Sequence, residues 1–189
     1  FLTASVFSSL AGLLYFKYAD FFINNFNAIF GVSLPLLRLV LPIGISFYTF
    51  QALSYSIDVY RKKLDATRDI VSFFAFLSFF PQLVAGPIER ATNLLPQFLK
   101  KRSFDYTKAV DGLRQMLWGM FKKVVVADNC AVFVDTVFGN IDNHNASTLA
   151  VAAVLFSFQI YCDFSGYSDI AIGLGKLLGI ELMRNFNVP

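Results

Sequence analysis

The sequence predicts an all-α, polytopic integral membrane protein, and its composition carries most of that prediction. Hydrophobic residues make up 56% of the 189 positions and charged residues only 15%, with a mean hydropathy of +0.58. A soluble domain usually carries about 25% charged residues, so this chain has too little polar sequence to cover a soluble fold. Disordered chains are poor in apolar residues, and a scattered net charge of +3 is too weak for a nucleic-acid footprint.

The first third of the chain predicts two membrane segments, because a helix needs about 20 apolar residues to cross the hydrocarbon core. Residues 1–16 carry no charge and are interpreted as the remainder of a span. Residues 21–31 contain three asparagines and favour an interfacial helix or a loop. Residues 34–57 form the next expected span, in which Pro42 and Gly44 predict a kink or break.

The segment 70–88 poses a topological conflict. It is uncharged and lies between two basic stretches, 60–69 and 93–108. A simple crossing would place these basic loops on opposite sides, against the positive-inside rule. Pro81, Gly86 and Pro87 suggest a re-entrant element instead, which is stable only when it is buried in protein or faces a water-filled cavity.

The second half of the chain predicts two long helices. Residues 110–138 have a helical pattern that Lys122 and Lys123 divide. This pair suits either a membrane interface or a docking place for an anionic donor or headgroup. Residues 147–178 would extend about 48 Å at 1.5 Å per residue. Because this length exceeds the bilayer core, we expect the helix to be tilted, or broken near Gly166 or Gly173.

Asp163 and Asp169 lie inside the last apolar run. A charge at mid-bilayer costs roughly 2.5–3.5 kcal/mol or more, so both should face protein or water. At 100° per residue they lie about 120° apart on the helix, and protein should therefore surround it. Two interpretations stay open. The carboxylates hold the bundle together by hydrogen bonds, or they line a substrate path with Tyr167 and Ser168.

A second candidate site lies in residues 79–90, where Gly86 and Pro87 predict the end of a helix. Gln82 and Glu89 flank this break, and Glu89 with Arg90 marks the rim of the apolar zone. Either Glu89 and Arg90 form a surface ion pair after a turn, or a broken helix shapes a polar cavity.

The remaining reactive residue types offer no recognisable catalytic set. His144 is the only histidine and lies among turn formers, where a catalytic base would lack a supporting element. Cys130 and Cys162 lie in apolar context without metal-ligand spacing and are interpreted as small buried residues. We therefore predict no metal and assign no catalytic residue.

Several motifs resemble those of the membrane-bound O-acyltransferases (MBOAT), most closely the bacterial branch that acylates exported polysaccharides such as alginate. The resemblance runs over nearly the whole chain and in the family's order. It is carried by residues 41–51, 57–60, 79–89, 117–123, 161–175 and 185–187.

The resemblance implies a partial MBOAT fold: helices around a polar tunnel in the bacterial cytoplasmic membrane. An acyl thioester of coenzyme A or a carrier protein, not a bound cofactor, would donate the acyl group to a hydroxyl of an exported polysaccharide. Other subunits of an acetylation or export complex are possible partners. Gln82, Gly86, Pro87, Glu89, Asp163, Tyr167, Ser168 and Asp169 would line the tunnel, with Lys122 and Lys123 as interfacial cations.

The chain is expected to be a single membrane domain over residues 1–189, truncated at both ends. The family's catalytic histidine follows the Asn-Phe-Asn motif, which is residues 185–187 here. The 189-residue piece alone is therefore expected to be inactive. Two alternatives stay open: a secondary transporter with intramembrane carboxylates, and a non-catalytic scaffold subunit of an export complex.

Overall fold

A computed structural model describes residues 2–83, 86 and 89–186, and within these ranges the chain is all-helical, without β-strands. It divides into two compact units. Unit 1 comprises Phe1–Val84 and Glu89–Lys100, and unit 2 comprises Ala85–Ile88 and Lys101–Pro189. The all-helical prediction is confirmed.

Unit 1 begins with one long helical rod. Helix α1 (Leu2–Leu13) continues through a π-helical turn (Leu14–Tyr18) into α2 (Ala19–Phe30). The span expected in residues 1–16 therefore continues past Lys17, and residues 21–30, predicted as an interfacial helix or a loop, are helical. The wider π turn keeps the backbone hydrogen-bonded while Lys17 Nζ reaches Ser46 Oγ at 3.4 Å.

An extended segment follows α2, where the sequence predicted a span starting at residue 34. Gly31 ends α2 with φ +65°, a left-handed conformation that glycine adopts without steric cost. Arg38 also has a positive φ, +48°. Asp20 fixes this segment: its two carboxylate oxygens accept hydrogen bonds from the backbone N–H groups of Leu37 (2.8 Å) and Arg38 (3.0 Å).

Asp20→Ala is expected to release the part of the extended segment around Leu37 and Arg38 from α2, while Asn27 still holds Leu34 through two hydrogen bonds. The substitution leaves two amide donors without their charged acceptor, and charge-assisted hydrogen bonds are the stronger ones. Amide hydrogen exchange at Leu37 and Arg38 should accelerate by roughly tenfold or more. Asn25→Ala is the matched control, because among the described residues the Asn25 side chain bonds only the Phe21 carbonyl of its own helix. Unchanged protection in Asp20→Ala would contradict the role of this carboxylate.

Three further helices complete unit 1: α3 (Ile45–Tyr60), α4 (Ile70–Leu77) and α5 (Ala91–Leu99). Helix α3 packs on α1 and α5, and α4 packs on α5. Asp69 caps α4 by accepting from the N–H groups of Val71 and Ser72. The Ser72 hydroxyl and then the capping N–H groups lower the pKa of Asp69.

Helix α4 ends at Leu77, well before Gly86, where the sequence predicted the break. A short 3₁₀ turn (Phe80–Gln82) follows it. Ser78 Oγ donates to the Phe74 carbonyl (2.7 Å) at this end. Pro81 lacks an N–H group, and its ring disfavours helical backbone at the residue before it. The first proline of the segment, and not the Gly-Pro pair, thus lies closest to the end of the helix.

Unit 2 consists of two long antiparallel helical rods. The first is α6 (Tyr106–Met120), a π-helical stretch (Phe121–Ala127) and α7 (Asp128–Phe138) in continuous succession. A 3₁₀ turn (Ile141–Asn143) leads into α8 (Ala146–Leu177), which packs along the whole first rod.

Helix α8 runs unbroken for 32 residues, so of the two expected alternatives a break near Gly166 or Gly173 is wrong, and a tilted helix stays a prediction. These glycines are contact points instead. A Cβ on Gly166 would lie 2.7 Å from the Gly119 carbonyl oxygen, and a Cβ on Gly112 would lie 2.6 Å from the Gly173 carbonyl oxygen. The two glycines of each helix are a heptad apart, which keeps them on one face. Small residues allow this close backbone approach in membrane helices.

Within the described residues, two helices are long and apolar enough to cross a membrane: Leu2–Phe30 and Ala146–Leu177. Both present large apolar side chains outward. Phe7 is 77% exposed and Val154 is 57% exposed. Such exposure is unfavourable in water and ordinary in lipid, which agrees with the membrane nature that the composition predicts.

Candidate functional site

The candidate site in unit 2 is built on an ion pair between α8 and the π-helical stretch. Lys122 Nζ lies 2.5 Å from Asp169 Oδ2 and 3.1 Å from Ser165 Oγ. The other oxygen of Asp169 accepts from Gln115 Nε2 at 2.9 Å. The Lys122 and Asp169 side chains are only 15% and 22% exposed. This carboxylate is therefore largely shielded and fully engaged in hydrogen bonds.

Lys123 makes a second, more open connection to α8. Its Nζ lies 2.9 Å from Asp163 Oδ1 and 2.7 Å from Asp128 Oδ1. The Lys123 and Asp163 side chains are 43% and 54% exposed. The sequence predicts that both aspartates face protein or water and that protein surrounds the helix. Within the described residues, Asp169 is shielded by its neighbours and Asp163 is half-exposed.

The π-helical winding explains how two consecutive lysines reach the same helix. Neighbours on an α-helix are 100° apart, and Asp163 and Asp169 lie on different flanks of α8. A π-helix has more residues per turn, so Lys122 and Lys123 diverge less and straddle α8 from one side. Both lysines, which the sequence placed either at a membrane interface or where an anionic donor docks, thus form ion pairs with aspartates of α8.

A cavity of about 670 Å³ opens beside this ion pair, within the size range of ligand sites. It is lined by side chains of α6, of the π-helical stretch, of α8 and of the segment after α8. They are Asp111, Arg114, Gln115, Trp118, Lys122, Tyr161, Ser165, Ser168, Asp169, Ile172, Lys176, Arg184, Asn185 and Phe186. Polar, charged and aromatic groups thus converge on one space.

Polar contacts tie the segment after α8 to α8 and α6. Asn185 Nδ2 donates to Ser168 Oγ at 3.2 Å, and Ser168 is only 2% exposed. Nearer the end of α8, Glu181 of the same segment contacts α6: Lys108 Nζ lies 2.9 Å from Glu181 Oε1. This contact raises the pKa of Lys108 and lowers the pKa of Glu181, chiefly through the hydrogen bond between them.

The structure brings only some of the predicted site residues together. Ser168 and Asp169 line the cavity, whereas Asp163 and Tyr167 are not among its lining residues. Lys122 lines it as well, and Lys123 lies outside. The tunnel-lining role proposed for these residues stays a prediction.

The two candidates that flank the predicted helix break differ in their hydrogen bonding. Gln82 and Glu89 belong to unit 1 and are each 1% exposed. Gln82 Nε2 donates to the Phe76 carbonyl (3.2 Å), while its Oε1 is buried without a hydrogen bond from the described part of the chain. Glu89 Oε2 accepts from Asn93 Nδ2 at 2.7 Å. Glu89 is therefore buried and hydrogen-bonded, which disagrees with a surface position.

Of the other two candidates in that segment, the structure describes Gly86 and not Pro87. Gly86 is buried, and Pro87 lies outside the described residues. No group of three potential metal ligands occurs in the described ranges. His144 follows the 3₁₀ turn of the α7–α8 loop and is not a lining residue of the cavity.

Sequence reasoning missed most of the cavity wall contributed by α6. The signal was present as a face at helical spacing: positions 111, 114, 115 and 118 of α6 recur at i, i+3, i+4 and i+7 and lead to the predicted Lys122 at i+11. In a membrane protein such a face points to protein or water. Arg184 was missed although it directly precedes the Asn-Phe-Asn motif.

Comparison with known proteins shows related sequences over the whole chain. The chain is 43% identical to the Azotobacter vinelandii protein named "Probable alginate O-acetylase AlgI", covering 100% of this chain and 38% of that protein. It is 39% identical to the peptidoglycan O-acetyltransferase of Helicobacter pylori, covering 93% and 38% respectively.

A more distant relative is the teichoic acid D-alanyltransferase of Bacillus subtilis, 23% identical over 80% of this chain and 39% of that protein. The chain thus spans about two-fifths of the length of the curated relatives it matches. No protein-family model matches the chain. The identity over its full length nevertheless agrees with the motifs quoted above, and the chain belongs to the membrane-bound O-acyltransferase family of these O-acetylases.

Proposed function

We propose that this chain is part of a multi-pass O-acyltransferase of the bacterial cytoplasmic membrane. It moves an acetyl group from a thioester donor on the cytoplasmic side to hydroxyl groups of an exported polysaccharide. The observation that carries this proposal is the identity of 43% over the whole chain with a protein named as an alginate O-acetylase. The acetyl group is favoured because the relatives near 40% identity are named for O-acetylation.

The acceptor class follows from what the named relatives share. Their names refer to alginate, peptidoglycan and teichoic acid, which are polymers bearing free hydroxyls. A hydroxyl oxygen attacks the thioester carbonyl, the new ester bond forms, and the carbon–sulfur bond breaks to release the thiol. A general base must take the hydroxyl proton, and we assign that role to none of the described residues.

The role proposed for this chain is to supply part of the wall of the polar passage. Helix α8 is long and apolar enough to cross the bilayer, yet it carries Ser168 and Asp169 on the cavity of about 670 Å³. Polar groups at membrane depth are stable only when they face protein or an aqueous cavity. The Lys122–Asp169 pair satisfies this condition by neutralising both charges.

The test uses the whole encoded protein in a bacterial strain whose own polysaccharide O-acetylase has been deleted. We expect base-labile acetate on the exported polysaccharide to return with the wild-type protein and to fall by about tenfold or more with Asp169→Asn. Asp142→Asn in the α7–α8 loop is the matched control and should behave as wild type.

Membrane-inserted wild-type protein that adds no acyl ester to any exported polysaccharide would contradict the proposal. Ion-coupled solute uptake without ester formation would support a transporter instead. Normal ester formation in Asp169→Asn, at equal protein level, would remove Asp169 from the site while leaving the acyltransferase proposal in place.

A further inference from the structure

The cavity of unit 2 carries a net positive charge that its ion pairs do not cancel. Among its described lining residues, four are cations and two are carboxylates. Asp169 is paired with Lys122 at 2.5 Å. Asp111 is paired with Lys176. Both carboxylates are therefore already neutralised by lysines.

The two remaining cations are arginines. Within the described part of the chain, Arg114 and Arg184 form no ion pair and no hydrogen bond, although each guanidinium carries five N–H donors. They come from different elements: Arg114 from α6, and Arg184 from the segment after α8. Both line the cavity that Asp111 also lines. The pKa of Asp111 is lowered chiefly by its hydrogen bond to Lys176 and, to a smaller extent, by the charges of these two arginines.

The backbone next to Arg184 is anchored to α8, and the arginine side chain itself is exposed. Its neighbour Asn185 is hydrogen-bonded to the buried Ser168, and the Phe186 ring packs edge-on against Tyr161 at 5.5 Å. The segment that carries this arginine is therefore attached to α8 by one polar contact and one aromatic contact. A side chain on an anchored backbone loses less conformational freedom when it binds a ligand.

We propose that Arg114 and Arg184 form a binding site for a phosphate group at this cavity. An arginine fork matches the oxygens of a phosphate in a bidentate manner, and two forks from different elements can hold one tetrahedral anion from two directions. The surplus of positive charge among the lining residues attracts the anion. Lys122 and Lys176 are already paired with Asp169 and Asp111, so the arginines are the cations that bind the anion.

The phosphate could belong to a soluble phosphorylated molecule or to the headgroup of an anionic lipid, since the recognition chemistry is the same. The site is assigned from charge and geometry alone and does not depend on the proposed acyl transfer. The experiment therefore measures binding and uses two probes, inorganic pyrophosphate and phosphatidylglycerol. Chloride at equal ionic strength and phosphatidylcholine are the respective controls.

The full-length protein in detergent should bind one of these probes more tightly than its control, as measured by calorimetry and by the shift in thermal unfolding. Arg114→Gln and Arg184→Gln should each weaken binding by roughly tenfold, because each removes a charge-assisted pair of hydrogen bonds. Arg114→Lys keeps the charge without the fork and should fall between wild type and Arg114→Gln. Arg68→Gln in the α3–α4 loop is the matched control and should bind as wild type.

Arginine-dependent binding of pyrophosphate assigns the site to a soluble phosphorylated molecule. Arginine-dependent binding of phosphatidylglycerol alone assigns it to a lipid headgroup. Wild-type protein that binds neither probe above its control overturns the proposal, as does binding that the double variant Arg114→Gln/Arg184→Gln retains in full. Absence of binding by the wild-type protein overturns the proposal without any variant, and Arg114→Lys and the two single Gln variants offer separate ways to establish arginine dependence where one variant is poorly produced.

Discussion

Gly119→Ala is expected to prevent α6 from packing on α8 and to abolish accumulation of folded protein in the membrane. A Cβ at this position would lie 2.5 Å from the Gly166 carbonyl oxygen and 2.9 Å from Ile170 Cγ1. The carbonyl belongs to the backbone of α8, so the helices must separate to relieve the clash. Overpacking of a closed interface costs about 1–3 kcal/mol and sometimes more. We expect at least the upper value here, because the methyl group meets backbone.

The matched control for this prediction is Gly12→Ala in α1. A Cβ there would have no described heavy atom within 4 Å, so the substitution should leave stability unchanged or raise it by up to about 1 kcal/mol through helix propensity. Detergent-extracted yield and thermal unfolding of the two variants measure the difference. Equal behaviour of Gly12→Ala and Gly119→Ala would show that the close contact between α6 and α8 does not limit stability.

Asp169→Ala is expected to destabilise unit 2 by about 3 kcal/mol, in the range found when one partner of a buried ion pair is removed. Lys122 would keep Ser165 as its hydrogen-bond partner but would carry an uncompensated charge at a position only 15% exposed. Gln115 Nε2 would also lose its acceptor. Chemical or thermal unfolding in detergent measures this loss.

Two comparisons separate the loss of the pair from the loss of a charge in general. Lys122→Met/Asp169→Leu removes both charges and should recover most of the stability, because apolar replacement of a whole buried pair is often neutral. Glu181→Gln removes the Lys108 pair, whose side chains are 54% and 77% exposed, and should have little effect. A double variant as unstable as Asp169→Ala would point to packing, and not charge, as the cause.

The helix boundaries show where local sequence signals were sufficient and where they were not. Asp69 and Asn145 occupy N-cap positions and accept from the N–H groups of the first helical turn, and α3 starts directly after Gly44, near the predicted break. The extended segment after Gly31 could not be predicted, because it depends on the carboxylate of Asp20 from another element. Apolar composition alone favoured a helix there.

The sequence by itself determined that these helices suit a lipid environment, which family the chain belongs to, and that two acids lie within the apolar run of α8. These properties follow from composition and from motifs, which are readable without knowing any contact. Only the tertiary structure decided which groups meet, as Gln115 and Asp169 do across a separation of 54 residues. It also decided that Gly166 and Gly173 join helices and do not break one. The reason is that helical periodicity assigns a residue to a face, whereas the antiparallel register of two helices assigns its partner.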